Sequence, residues 1–509
     1  MKTILLSFTL VFIVLFTGLA QTAFLDPQFG DGGVDSSIVI VSKDNNVIPW
    51  EIALLPDGKI AVGGMFEPYI ENFPWVARLK ANGGLDESFG KSGISLIDSG
   101  YYSHDIRNLN AQPDGKILIS GAGKLSFCIY RFDTSGDLDP GFDEDGLSLT
   151  SICGFDAIED LALSKSGKIA AVGYSCMFDA RYTIALFKPD GSRDLNFNGT
   201  GYFTSKFGIE FRSFKEVEFQ SDNKIVAAGQ SIADDAALNM KLYVVRIDTA
   251  GNLDPGFGSS GEFSYNMEWG EDVHDMAIQK DGKILLCFGY NRLLRLNSNG
   301  TIDNSFGNNG IVEIIRNYDI YAQCVGLQPD GKIIIAGTIV EYFIDSGSMH
   351  IFLARYNEYG APDNTFGNNG LILTPIGSYN IQTYPVSMVI QPDNKILISA
   401  VMLKNNGQVL VARFKPDASV GIETDQSAGS GINAYPNPAD DYIWLENLNI
   451  GSERLTWQLF DLTGKKIRNG LVNSDPCQIC LNDLSPSVYL LQVTDNNYKL
   501  IKNIRVIKK

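Results

Sequence analysis

The sequence predicts an all-β chain: a seven-bladed β-propeller closed by an N-terminal strand, followed by a small Ig-like β-sandwich. Three observations carry this reading. A four-residue turn, Pro56-Asp57-Gly58-Lys59, returns intact or lightly edited at Pro113, Lys165, Ser221, Lys280, Pro329 and Pro392, at spacings of 49 to 63 residues. A second landmark, Asp-x-x-Phe-Gly, returns at Asp26, Asp86, Asp139, Asp194, Asp254, Asp303 and Asp363, with Phe142-Asp143 and Phe197-Asn198 as degraded copies. The two series are also out of phase at the ends of the repeat region. The first Asp-x-x-Phe-Gly precedes the first turn, and the last third strand, Val409 to Phe414, has no such landmark after it.

Residues 1–20 read as a signal peptide. One Lys precedes an apolar run from Ile4 to Phe16, and small residues follow at Thr17-Gly18-Leu19-Ala20. That run is too short for a membrane span, and no later segment approaches that length without charge. Gly33 to Val41 is then expected to be the outermost strand of the last blade, removing the free sheet edges that an open ring would expose.

Within each repeat, an apolar run precedes the turn, and a β-rich run follows it and ends in Gly at the fifth position: Gly64, Gly121, Gly173, Gly229 and Gly337, with Phe288 and Ala400 as exceptions. These are two strands of a hairpin, with Asp and Gly supplying the local hydrogen bond and the positive φ. A third run such as Phe352 to Tyr356, then Asp-x-x-Phe-Gly, then a fourth strand such as Gly310 to Ile315, complete the unit. Four short antiparallel strands in each roughly 50-residue repeat is the make-up of a propeller blade. An Arg recurs in the third strand at 78, 131, 246, 295, 355 and 413, with Leu186 in its place in the third repeat. Such periodic recurrence is expected of a structural pin.

The propeller is assigned to residues 21–418, a Ser-, Gly- and acid-rich linker to 419–431, and a separate β-domain to 432–509, with strands at Tyr442 to Glu446, Leu455 to Asp461, Val488 to Thr494 and Ile501 to Ile507.

Gln328 to Gly337, Ala354 to Tyr356 and Asp363 to Gly367 closely resemble the delta-60 repeat, a propeller-type repeat common in secreted bacterial proteins; the resemblance spans about residues 24 to 417 and implies a scaffold with no particular activity. The C-terminal blocks Tyr435-Pro436-Asn437-Pro438-Ala439, Leu459 to Lys465 and Val488 to Leu491 resemble the type A sorting domain of the type IX secretion system of Bacteroidota, with Ser487 where that family usually has Gly. The resemblance makes Pro436, Asn437, Pro438, Asp461, Gly464, Lys465 and Tyr489 sorting residues. It implies recognition by the outer-membrane secretion machinery and a destination outside the cell or on its surface, by way of the periplasm.

A formal charge of −18 disfavours nucleic acid and anionic membranes as partners. Only three His are present, at 104, 274 and 350, and no nucleophile, zinc, P-loop or dinucleotide motif occurs. Strand order places the short turns on one face and the long irregular connections on the other, so the second face is the expected binding face. There Phe66, Tyr69, Phe73, Trp75, Tyr101, Tyr102, Trp269 and Tyr342 are candidate aromatic contacts for a glycan, peptide or protein. The innermost strands carry Glu51, Asn108, Asp160, Glu216, Asp275, Cys324 and Ser387 at one equivalent position. The first five form a candidate Ca²⁺ site, by fold-level analogy with lactonase-like propellers, or else an acidic ring satisfied by water and backbone. Cys153 and Cys176 fall on the same face of the third repeat and are expected to pair. The expected function is a secreted or surface-attached monomeric binding propeller. The alternatives are a Ca²⁺-dependent lactonase- or esterase-like hydrolase or lyase at the channel mouth, and a structural or adhesion component.

Overall fold

The computed structural model describes residues 24–26, 28–30, 46–67, 73–97, 105–176, 180–206, 210–232, 240–268, 271–315, 319–343, 346–374, 382–403, 408–415, 432–437, 439–446, 455–460, 466–472, 474–485, 487–494 and 500–508. The chain divides into two compact units, Met1–Ser419 and Val420–Lys509. Among the described residues, no helix is long and apolar enough to cross a membrane. The expected closing strand, Gly33 to Val41, lies outside the described residues.

The first unit is a series of antiparallel, propeller-like sheets. Asn46–Leu54, Ile60–Glu67, Phe73–Leu79 and Ile94–Leu96 make the first, in sequence order. The same four-strand order repeats in sheets that begin with Asp105–Ala111, Ala157–Leu163, Glu210–Phe219, Val273–Ile278 and Asp319–Leu327. A last group, Gln382–Ile390, Ile396–Leu403 and Gln408–Phe414, touches its predecessor through one parallel pair, Met349 with Gln382.

The hairpin turns form as their residue types dictate. At Leu55 to Lys59, the Lys59 carbonyl accepts from the Leu55 N–H at 2.8 Å, and the Asp57 carboxylate takes the Lys59 N–H at 3.1 Å. Gly58 sits at φ +81°, where a side chain would be strained. The apolar faces of neighbouring sheets then close on each other. One cluster joins Val226, Ala228 and Val244 to Met276, Ile284 and Leu286, and another joins Ile52, Val62, Trp75 and Ala77 of the first sheet to Leu397, Val409 and Val411 of the last. The first and last sheets of the unit therefore share a core.

The second landmark explains how neighbouring sheets are held in register. In the first sheet Arg78 Nε donates to Asp86 Oδ2 at 2.8 Å, its guanidinium lies 4.6 Å over the Phe89 ring, and its Nη1 reaches the Thr134 carbonyl in the turn of the following sheet at 2.6 Å. Lys59 approaches the same Asp86 oxygen at 3.1 Å. Arg131, Arg246, Arg295, Arg355 and Arg413 repeat the arrangement with Asp139, Asp254, Asp303, Asp363 and Asp26. Burial pushes Asp86 and Asp303 up, but their Ser, Lys and Arg partners outweigh it and hold both well below the usual carboxylate range. The Asp26 copy joins the two ends of the unit. It accepts from Arg413 at 2.9 Å, Phe29 lies under that guanidinium, and the Asp26 N–H bonds to the Arg413 carbonyl at 2.8 Å. In the third sheet Leu186 replaces Arg, and Lys168 supplies the cation for Asp194 at 2.7 Å, with the Asn196 N–H donating to it at 3.2 Å.

The same third sheet carries the disulfide Cys153–Cys176, with Cα atoms 5.3 Å apart, which ties the chain entering the sheet to the end of its second strand.

In the second unit, a three-stranded sheet of Asn433–Tyr435, Tyr442–Glu446 and Cys477–Cys480 and a four-stranded sheet of Thr456–Phe460, Lys466–Leu471, Ser487–Thr494 and Leu500–Lys508 enclose one core. Three of these strands, at 433, 466 and 477, were not expected from the alternation pattern, because each is short and one edge is polar. Cys477 is buried and Cys480 exposed on their strand, so the C-x-x-C thiols do not share a face.

Two outcomes are expected in urea unfolding. Arg295→Leu loses the bond to the Glu358 carbonyl and the stacking on Phe306 but keeps Lys283 at 3.1 Å from Asp303, so stability drops by roughly 2–3 kcal/mol, less than for a buried carboxylate left bare. Cys153→Ser with Cys176→Ser lowers it by about 3 kcal/mol, from the loop the bond closes.

Candidate functional site

Among the described residues, the innermost strand of each sheet has one edge with no ladder along it, apart from the single Met349–Gln382 pair, so many of its backbone N–H groups need other partners. Each of these strands also carries a bulge at the same place. Pairing jumps from Pro49 to Glu51, Ile106 to Asn108, Ile158 to Asp160, Phe214 to Glu216, Val273 to Asp275, Ala322 to Cys324 and Pro385 to Ser387. The skipped residues are Trp50, Arg107, Glu159, Lys215, His274, Gln323 and Val386. A bulge inserts one residue and re-aims its neighbours, so two consecutive side chains from each strand are directed to one side.

The fifth-position Gly of the sequence pattern pairs with the residue just before the bulge. There the inner strand's backbone comes so close that a Cβ on Gly173, Gly229 or Gly337 would collide with the carbonyl of Ala157, Ser213 or Tyr321. The Gly is thus the sequence signal of the bulge, and the bulged residues are functional candidates that alternation alone did not reveal.

The expected acidic ring is present, and most of its members cap inner edges. The Val217 N–H donates to Asp160 of the preceding sheet at 2.8 Å, and the Val325 N–H donates to Asp275 at 2.6 Å. The Ile52 N–H is served by Ser387 at 3.4 Å, whose hydroxyl also bonds Glu51. Asn108 donates to Asp160 at 2.6 Å. Among the described residues, no three His, Cys, Asp or Glu side chains converge as a metal-binding group. Glu51, Asn108, Asp160, Glu216 and Asp275 therefore do not make the compact oxygen cage of six or more ligands that Ca²⁺ takes.

Burial raises the Asp160 and Glu216 carboxyls well above their usual range, with the other channel acids adding to it, and pushes Glu51 up to about 7 and Asp275 to about 8. Glu216 has no hydrogen-bond or ion-pair partner among the described residues, although Asp160, Asp275, Glu51 and Glu218 all bear on it.

At the irregular-loop end of this channel, Trp50, Arg107, Glu159, Lys215, Glu216, Asp272, Val273 and His274 line a cavity of about 450 Å³. Residues of five successive sheets meet there. Glu159 holds both basic groups, Arg107 at 2.6 Å and Lys215 at 3.2 Å. Asp272 accepts from Gln230 at 2.7 Å, and His274 Nε2 bonds the Gly289 carbonyl at 2.8 Å. Burial holds the His274 imidazole below its usual value, so it is neutral at pH 7.

The aromatic candidates fare unevenly. Trp75 is wholly buried in the core between the first and last sheets, because its strand position faces the neighbouring sheet; it is not a surface contact. Phe66, Phe73 and Tyr342 lie on strands whose side chains there are outside the described set, and Tyr69, Tyr101, Tyr102 and Trp269 lie outside the described residues. Exposed instead are Tyr290 and Tyr321, edge to face with ring centres 5.5 Å apart. Tyr290 was missed because it sits in the hairpin where the fifth-position Gly is replaced by Phe288. Of the sorting residues, Pro436 and Asn437 are exposed, Tyr489 is buried with its hydroxyl on the Ser485 carbonyl at 2.9 Å, and Pro438, Asp461, Gly464 and Lys465 lie outside the described residues.

Residues 433–508 match the secretion system C-terminal sorting domain, and residues 55–89, 112–142, 220–257, 279–306 and 328–366 match the domain of unknown function (DUF5122) beta-propeller. Segments of the first unit thus match a β-propeller family, and the second unit matches a secretion sorting domain. Both resemblances expected from the repeat and C-terminal motifs point the same way. No curated protein matches the chain. Among solved structures, the propeller protein is similar to PorZ of Porphyromonas gingivalis, a surface component of the type IX secretion system, at 12% identity over 94% of this chain and 76% of that one, TM-score 0.24. It is also similar to YCF48 from Cyanidioschyzon merolae, at 12% identity over 75% and 99%, TM-score 0.41. A third is the extracellular domain of BT4673 from B. thetaiotaomicron, at 9% identity over 93% and 90%, TM-score 0.19.

The raised channel acids set a pH dependence. They stay protonated in the fold at pH values where the unfolded chain, with carboxyls near 4, has released its protons. Their contribution is therefore complete below about pH 4 and is lost as pH rises toward 7 to 8. The pin carboxylates act oppositely, but their contribution is already complete above about pH 4. The thermal midpoint should fall between pH 5.5 and pH 8, and Glu216→Gln should shrink that fall; an unchanged slope would remove Glu216 from the account.

Proposed function

We propose that this is a secreted or cell-surface binding protein, exported by the type IX secretion system through its C-terminal domain, whose propeller is a seven-bladed ring that takes its ligand on the irregular-loop face. The sorting-domain match over residues 433–508 carries the export reading, and the two sheets around one core agree with an Ig-like sandwich for that domain. Ring closure is supported by the Asp26 pin to Arg413 and by the core shared between the first and last sheets. For binding, the supporting observation is the contrast between the two ends of the channel. At the end with the regular turns, Leu54, Leu55, Pro56, Ala111, Pro113 and Pro392 line an apolar depression. At the loop end, several sheets direct charged and aromatic side chains inward. No catalytic role is assigned: Asp160 and Asp275 are occupied with backbone amides of the following sheets.

Export has a direct test. In a bacterium with a type IX system, the full chain should appear at the surface or in the medium, and a chain ending at Gly431 should accumulate in the periplasm with its propeller folded. Equal export of both would remove the C-terminal domain as the address.

A further inference from the structure

In the loop-end cavity, two polar groups stand out because everything around them is already paired. Arg107 and Lys215 are both engaged by Glu159, which sits between them. Asp272 is tied to Gln230, and the His274 ring is held by the Gly289 carbonyl. With Nε2 donating to that carbonyl, Nδ1 of the neutral ring is an acceptor. The buried Nε1–H of Trp50 has no acceptor among the described residues. A buried donor without a partner is uncommon and calls for an acceptor, from water or from a bound molecule. The Glu216 carboxyl, on the wall of the same cavity, likewise has no donor among the described residues.

We propose that this cavity binds a free amino group that carries an oxygen acceptor close by, as the amino end of a peptide does. The ammonium would sit against Glu216, with Asp272 and His274 Nδ1 as further acceptors, and the oxygen would receive the Trp50 N–H. The inference deepens the reading of the loop face as the binding face. A bare metal ion suits the site poorly, since no three ligating side chains among the described residues converge. An ammonium compound extends its donors and acceptors over a wider span. The charge balance agrees, because Glu159, which engages both basic groups, and Asp272 together offset Arg107 and Lys215 in the wall, whereas Glu216 faces the fields of Glu51, Asp160, Asp275 and Glu218 with no ion pair of its own among the described residues. Burial, with those neighbours, holds the Glu216 carboxyl well above its usual range, and an ammonium beside it favours the ionised form, so binding is coupled to release of a proton. Affinity is expected to rise with pH, at most about tenfold per unit for one proton released.

The test uses the purified protein and three small probes. Glycinamide carries both the ammonium and the carbonyl, N-acetylglycinamide lacks the charge, and ethylammonium lacks the oxygen. Binding is followed by the Trp50 indole N–H resonance, assigned through Trp50→Phe, and by calorimetry. Glycinamide should move that resonance saturably, ethylammonium should bind several-fold more weakly, and N-acetylglycinamide should not bind. Glu216→Gln should weaken glycinamide roughly tenfold or more, the order expected for a charge-assisted hydrogen bond. Trp50→Phe, which keeps the aromatic bulk, should weaken it several-fold. Equal binding of the acetylated and free probes, no movement of the indole resonance, or an unaffected Glu216→Gln would each overturn the proposal. Export by the C-terminal domain is read separately by truncation, so failure of one leaves the other standing.

Discussion

The arginine–aspartate pair behind six of the seven Asp-x-x-Phe-Gly turns is the interaction on which the repeat unit depends. One guanidinium joins three things at once: the carboxylate of its own turn, the aromatic ring beneath it and a carbonyl of the following sheet. A hydrophobic face alone would let neighbouring sheets slide, because apolar contact has no direction. The planar fork of Arg sets both distance and angle, and Lys in its place would not. The lysine of the preceding hairpin adds a second cation to the same carboxylate, which accounts for the survival of the third sheet with Leu186 in place of Arg. That sheet also has the only disulfide found among the described residues, and its Glu159 bridges to basic groups on either side.

Much of this could be read before any coordinates. The Pro-Asp-Gly-Lys turn, the Asp-x-x-Phe-Gly turn and the recurring Arg are local patterns whose chemistry determines their conformation, and each sits where it was expected. The missing landmark after Phe414 and the surplus one at Asp26 correctly implied that the two ends of the repeat region meet. The bulge escaped because period-2 alternation assumes one residue per step. The fifth-position Gly was visible, but its cause lay across the hairpin, in a carbonyl that approaches too closely for any Cβ. Trp75 was misplaced for a related reason: aromatic residues near a strand end look like loop residues until the neighbouring sheet is known.

The channel acids illustrate how one composition serves two physical roles. Spread around an inner edge, Asp160 and Asp275 supply the acceptors that the next sheet's N–H groups lack. That duty removes them as convergent metal ligands. Glu216 stands in the same ring without such a duty, and the difference between it and its neighbours is one of hydrogen bonding, invisible in a sequence that shows only polar residues recurring at equivalent positions.

Asp26 and Arg413 lie 387 residues apart, and their pair joins the two ends of the first unit. Asp26 thus meets its partner only after almost all of the first unit has been synthesised. Contacts of such long sequence separation are slow to form because the intervening chain has to close first. The pair that joins the two ends of the first unit therefore cannot form until the strand Gln408–Phe414 has been made.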